Sequence, residues 1–239
     1  MPDGFSRRSF LAAAGAATAA LAAPRGLFAQ ETVPAMLDHI LLGTKNLDDG
    51  IDLVAGRTGV RAAFGGVHPG RGTCNALLSL GPLHYLEIIA PDPRQPSAPD
   101  LLGLRSLAAP RLITWAVHPA DIHEQARRLT AAGIAFEGPD PGSRNRPDGR
   151  VLHWSTLRLK DDRNGLLPFF IEWGAGTMHP SEDAPQGCRL VGFEAAAPDP
   201  DELAATFSRL GIEVGVAHAA SPHLRAVIAG PHGEFDLSS

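Results

Sequence analysis

Three ionisable residues stand where apolar ones would be expected. His39 interrupts Leu37-Asp38-His39-Ile40-Leu41-Leu42, Glu87 interrupts Tyr85-Leu86-Glu87-Ile88-Ile89, and Glu172 interrupts Phe169-Phe170-Ile171-Glu172-Trp173. A carboxylate taken out of water without a partner costs several kcal/mol. Such residues either converge and satisfy one another or find separate hydrogen-bond partners, as a lone core histidine usually does. Together, an imidazole and carboxylates are proton carriers. A polar loop, His68-Pro69-Gly70-Arg71-Gly72-Thr73-Cys74-Asn75, leads into an apolar run. Arg71 offers a planar fork for a carboxylate or phosphate, and Asn75 offers hydrogen bonds; the plainer reading is a solvated loop. Cys74 has only His68 nearby in sequence, which is weak support for a nucleophile. Arg144, Asn145, Arg146 and Arg150 read as a short, solvated basic loop, with the steering of an anionic ligand as the alternative. No Gly-x-Ser-x-Gly elbow, phosphate-binding Gly-Lys-Ser/Thr loop or Gly-x-Gly-x-x-Gly after a strand occurs.

These residues need elements to hold them. The 239 residues carry a net charge of −5 with 44% hydrophobic and 20% charged residues, which excludes a disordered chain and gives no basic face for nucleic acid. Two cysteines exclude a disulfide scaffold. The chain repeats itself. A strand near Met36–Leu42 is followed by Asn46, helically spaced Leu47, Ile51 and Val54, and Gly59; Leu112–Val117 by Asp121, Ile122, Ala126, Leu129 and Gly133; and Leu190–Phe193 by Asp199, Leu203, Phe207, Leu210 and Gly211. Asn and Asp cap helix starts and Gly stops them. Three short strands follow each helix, so each unit reads βαβββ. Pro91–Pro110 and Gly174–Gly187 read as linkers. A single βαβββ unit leaves one sheet face bare, so two are expected to pack together. The expected domains are a leader at 1–29, a two-unit domain at 35–180 (units 35–92 and 111–174), and a shorter third unit at 188–239. The third unit is expected to cover the cup of the first two or to pair across a homodimer.

The leader has Arg7-Arg8 before Phe10-Leu11 and an uncharged, alanine-rich stretch to Ala23. That stretch is too short to span a bilayer, which needs about 20 residues. It resembles a twin-arginine export signal, which implies a periplasmic or secreted protein without a stable membrane span.

Leu37-Asp38-His39-Ile40, the loop 68–73, and Tyr85-Leu86-Glu87-Ile88-Ile89-Ala90-Pro91 resemble the glyoxalase-like domains of the vicinal oxygen chelate superfamily. Pro168-Phe169-Phe170-Ile171-Glu172-Trp173, with His179-Pro180 beyond, is similar to the end of that group's second unit. The resemblance covers roughly 36–180. It implies an α+β fold in which two βαβββ units pair into a cup-shaped half-barrel, as in glyoxalase and dihydroxybiphenyl dioxygenase folds. It also implies a divalent metal (Mn, Fe, Zn or Ni) held by His39, Glu87 and Glu172. The matching fourth position falls on Thr114, a poor ligand, which leaves three protein ligands and open coordination positions. Glu172 and His153 are then the candidate catalytic groups, with His153 taken to face the cup as a proton shuttle and its neighbour Trp154 away from it. Arg71, Asn75, Trp173 and His179 are candidates for substrate binding. The expected function is a metal-dependent lyase, isomerase or dioxygenase acting on a small oxygen-rich metabolite. The alternative is a non-catalytic cup that sequesters a small molecule, which Thr114, Trp115, Phe169 and Trp173 would favour.

Overall fold

The computed structural model describes residues 33–146 and 148–239; the expected leader at 1–29 lies outside them. The first unit is β1 (Leu37–Gly43), α1 (Leu47–Thr58), β2 (Ala63–His68), β3 (Thr73–Ser79) and β4 (Tyr85–Pro91). The second is β5 (Arg111–Val117), α2 (Ile122–Ala131), β6 (Phe136–Asn145), β7 (Val151–Leu159) and β8 (Phe169–Trp173). After a short helix, α3 (Pro180–Asp183), come β9 (Arg189–Ala197), α4 (Pro200–Leu210), β10 (Gly215–His218), β11 (His223–Gly230) and β12 (Gly233–Ser238). Local chemistry sets the helix limits. The side chains of Asn46, Asp121 and Asp199 accept from the backbone N–H groups of Asp48, Glu124 and Glu202. Gly59 and Gly211 end α1 and α4 in the left-handed conformation, at φ +82° and +74°.

The first two units share one eight-stranded sheet in the order β2-β3-β4-β1-β5-β8-β7-β6. β1 and β5 run antiparallel at its centre, and each is parallel to the fourth strand of its own unit. The sheet curls into a cup. Its two edges, β2 and β6, approach one another at Gly65 and Gly66. A Cβ at Gly66 would lie 2.9 Å from the Asn145 carbonyl oxygen, and one at Gly65 would lie 2.7 Å from Arg144 Nη1.

Period-two alternation divides the strands between two environments. On β1, His39 and Leu41 face the cup while Ile40 and Leu42 join the main core behind it. That back face carries α1, α2 and a second sheet. Trp115, fully buried on β5, packs with Phe193 at 4.7 Å and Phe207 at 6.0 Å between ring centroids, and its Nε1 donates to the Leu166 carbonyl at 3.0 Å. Each aliphatic side chain buried here contributes about 1.5–3 kcal/mol.

The second sheet, in the order β10-β9-β11-β12, belongs to the third unit. The unit has the expected element order but not the pairing of the first two. Its first strand, β9, lies between β10, to which it is parallel, and antiparallel β11. In the first two units the first strand pairs with the fourth. Caps and helix length recur, but they do not specify which neighbour the next strand chooses. One face of this sheet is covered within the chain, by the back of the cup. Among the described residues, no helix is long and apolar enough to cross a membrane.

Both expected linkers form parts of the cup's surroundings. In the first, Leu104 and Leu107 pack on Leu41 and Ile89. The second contains α3, held to β3 by the Ser79 hydroxyl donating to the Ser181 carbonyl at 2.9 Å.

Candidate functional site

The cup encloses about 330 Å³, at the small end of the range for ligand sites. Its walls are largely apolar: Leu41, Ile89, Phe169, Ile171, Trp154 and Trp173, with Leu101 and Leu102 among the lining residues. Its polar lining centres on His39 and Glu87 from β1 and β4, His68 and Asn75 from β2 and β3, and Arg144 from β6.

His39 is held on both sides. Its Nδ1 lies 2.7 Å from Asp38 Oδ1, and its ring stacks on Tyr85 at 4.4 Å. In an even strand, consecutive residues point to opposite faces. Here the pairing of β1 with β5 shifts register between Leu37 and His39, and that irregularity coincides with Asp38 lying beside His39. Asp38 is buried. Its Oδ2 accepts from Trp173 Nε1 at 3.0 Å and lies 3.2 Å from His179 Nε2. Burial opposes its charge, but the hydrogen bonds from His179 and His39 outweigh burial and hold the carboxyl well below the usual carboxylate range. An ionised carboxylate can only accept, so His39 Nδ1 carries the proton and Nε2 faces the cup.

Glu87 lies across from that nitrogen, with Oε2 at 3.5 Å from His39 Nε2. Its Oε1 accepts from Asn75 Nδ2 at 2.6 Å and is 3.9 Å from His68 Nε2. Arg144 Nη1 donates in turn to Asn75 Oδ1. Burial pushes the Glu87 carboxyl up, but His39, His68, the Asn75 hydrogen bond and Arg144 together bring it below its ordinary value. Burial pushes the His68 imidazole down. Arg144 and Arg71 add to that shift and Glu87 opposes it, so His68 is biased toward the neutral form. Burial also raises the Tyr85 phenol well above its usual value, so it stays protonated.

The sequence-derived candidates divide into two groups. His39, Glu87, Arg71, Asn75, Thr114 and Trp173 all line the cup. Glu172 does not; its Oε2 accepts from the Ile122 N–H at 2.7 Å, at the first turn of α2. Ile171 and Trp173, its neighbours on β8, face the cup instead, because one residue along a strand reverses the face. His153 is likewise exposed outside, and Trp154 is the residue of that pair that looks in. His179 does not reach over the cup but braces Asp38 from outside its lining. Trp115 is on the back face. Arg144, read as part of a solvated loop, is buried at 4% exposure. Burial and then Asp92 raise the Cys74 thiol, against a nucleophilic role. Asp38, His68, Arg144 and Arg158 were not among the sequence-derived site residues.

The expected metal set therefore does not fit. Without Glu172, His39 and Glu87 face one another with Thr114 and Ile171 across the duplicated half, and one oxygen of Glu87 is already taken by Asn75. Among the described residues, no group of three or more His, Cys, Asp or Glu side chains is arranged to hold a metal ion.

With the geometry established, the chain can be set beside known proteins. A family model described as a glyoxalase-like domain matches residues 37–211. No curated protein matches by sequence. A solved hypothetical protein from Staphylococcus aureus superposes with a TM-score of 0.58 at 14% identity, covering 84% of each chain. Methylmalonyl-CoA epimerases are more distant. A variant from Streptomyces coelicolor in complex with 2-nitronate-propionyl-CoA has a TM-score of 0.44 at 18% identity, over 61% of this chain and 99% of that one. The enzyme from Mycobacterium tuberculosis has a TM-score of 0.41 at 17% identity, over 62% and 93%. The Staphylococcus aureus likeness supports the fold and nothing finer.

Proposed function

The chain belongs to the glyoxalase-like domain family, and from that premise we propose that it is a proton-transfer enzyme, of isomerase or lyase type, acting on a small oxygen-rich metabolite in the cup. His39 Nε2 is the base. The observation that carries this reading is the Asp38–His39 pair, 2.7 Å apart, with Nε2 directed into the cavity. Asp38 fixes the tautomer and stabilises the imidazolium formed when Nε2 takes a proton. Glu87, at 3.5 Å, is too far for a tight hydrogen bond with Nε2 but close enough to stabilise that cation. The Tyr85 ring, stacked on the imidazole at 4.4 Å, holds it in this orientation. No step requires a metal ion.

The test is hydrogen exchange in D2O, followed by proton NMR over a panel of 2-oxo and 2-hydroxy carboxylates. Wild-type protein and Glu172→Ala should exchange the carbon-bound proton of at least one compound, before and after dialysis against EDTA. His39→Gln should lose about a hundredfold or more of that rate. Equal rates in His39→Gln, or no exchange of any compound by wild type, would overturn the reading. A sequestering cup is the second reading, favoured by the aromatic walls Trp154, Phe169 and Trp173; it predicts ligand-induced thermal shifts without exchange. We also propose export through the Arg7-Arg8 leader. Cell fractionation should find the protein outside the cytoplasm, and changing both arginines to lysine should retain it inside.

A further inference from the structure

We infer that the cup's ligand is a small dianion, a dicarboxylate or a phosphomonoester, held by Arg71, Arg144 and Arg158. This rests on the reading that the cup is the reaction site, and it adds the substrate's charge and class.

The first observation is a buried or half-buried arginine without an ion pair. Arg61, Arg94, Arg127, Arg146, Arg150 and Arg163 each lie within 4.0 Å of a carboxylate oxygen, and outside the cup Arg57, Arg105, Arg111, Arg128, Arg189 and Arg209, which do not, are all exposed, whereas Arg144 is buried and Arg158 half-buried. Among the described residues, none of the three cup arginines has such a partner. A guanidinium does not lose its proton in a protein, so the positive charge stays.

The second observation is Arg144 itself. It lines the cup at 4% exposure, and its Nη1 is held by Asn75, yet its Nε is buried without an acceptor. A buried guanidinium without a carboxylate partner is costly unless an anion stands near it, and it is the cup-facing part of Arg144, not the enclosed Nε, that such an anion would meet. Arg158 is comparably prepared. Its Nη1 donates to Thr156 Oγ1 at 2.7 Å, and its guanidinium carbon sits 5.4 Å from the Phe169 ring centroid. These contacts fix the two forks before any ligand arrives, which lowers the entropy lost on binding.

The third observation is charge balance. The acidic lining consists of Glu87 and Asp162, and Asp162 is exposed, where solvent screens it. Within the lining Glu87 offsets one guanidinium, and from outside it Asp140 and Glu137 act on Arg158 and Asp183 on Arg144, so the lining itself keeps a positive excess toward about 330 Å³ of largely apolar space. Arg71 comes from the first unit and the other two from the second, so the anionic groups are gripped from both halves. Burial lowers the Arg158 guanidinium and the like charge of Arg71 lowers it further, while Asp140, Glu137 and Glu87 oppose both; a bound anion would add to that opposition.

Isothermal titration of the purified chain with succinate, glycerol 3-phosphate and succinamide tests this. At least one of the two anions should bind at least tenfold more tightly than the neutral diamide, and which one binds identifies the anionic group. Arg71→Met, in an exposed loop where folding is not at stake, should weaken that binding by about tenfold. Arg61→Met, on a surface ion pair elsewhere, should leave it unchanged. Binding of neither anion, equal binding of succinamide, or an unaffected Arg71→Met would overturn the inference. The two readings fail separately. Exchange lost in His39→Gln without any dianion binding sinks only this one, whereas dianion binding with exchange unaffected by His39→Gln sinks only the proton transfer.

Discussion

Replacing Asp38 by Asn tests the centre of the site with the smallest change in shape. The carboxylate serves two sides at once: Oδ1 faces His39 Nδ1 at 2.7 Å, and Oδ2 faces Trp173 Nε1 at 3.0 Å and His179 Nε2 at 3.2 Å. An amide has one acceptor oxygen and one donor nitrogen, and indole is donor-only. If the amide oxygen stays with His39, its NH2 group meets the Trp173 N–H, and a buried donor is left unpaired at a cost of about 1–3 kcal/mol. If it flips, the oxygen satisfies Trp173 and the NH2 faces His39. Nδ1 must then accept, the proton moves to Nε2, and the lone pair directed into the cup disappears. The first outcome lowers Tm by roughly 2–12 °C, at about 2–4 °C per kcal/mol for a domain of this size. The second lowers the exchange rate by about 10²–10⁴ with little loss of stability. Thermal unfolding combined with nitrogen-15 NMR of the imidazole separates them. A variant with unchanged Tm, an unchanged Nδ1–H tautomer and unchanged exchange would refute the assignment of Asp38.

Three other outcomes are expected. Glu172→Ala should cost about 1 kcal/mol, because it removes an acceptor from the first turn of α2; denaturant midpoints measure this, and a parallel loss of exchange would return Glu172 to the site. Trp115→Ala should cost about 3–5 kcal/mol by opening a cavity against Phe193 and Phe207, read as a large fall in Tm. The pH dependence has two parts. His68 binds its proton less readily when folded, so protonation favours the unfolded chain and stability falls as pH drops through about 6.5; His68→Gln should flatten that stretch. Glu87 is lowered on folding, so its contribution is present above about pH 4.3 and lost below it, and Glu87→Gln should remove that acid-side loss. Urea midpoints from pH 2 to 8 check both.

The frame was legible in the sequence because its signals are local. Asn46, Asp121 and Asp199 each announce a helix, and apolar runs such as Tyr85–Pro91 announce buried strands. The site was legible only where parity was safe. His39 and Glu87 fall on the cup face, but Glu172 sits one residue from Ile171 and Trp173, and the run Phe169–Trp173, apolar on both sides of Glu172, does not mark which of its residues face the cup. Arg144 was hidden for another reason. β6 runs Phe136–Asn145 through Gly, Pro and Asp with no apolar alternation, and it becomes a strand by pairing with β7. Asp38 was hidden by regularity itself, since an even strand would have turned it away from His39. The third unit shows the limit of repeats, whose shared caps left the pairing of β9 open.

The seam between β2 and β6 carries a consequence of its own. Gly66, at φ +144°, lies where any side chain would press on the Asn145 carbonyl and the Arg144 stem, and Gly65 lies beneath the Arg144–Asn75 contact. The two margins of the sheet meet with bare backbone against a cation. Bulk added at either glycine wedges the margins apart and carries that cation away with them. The width of the vessel and the charge of its interior are thus a single adjustable quantity, and neither can be changed while the other stays put.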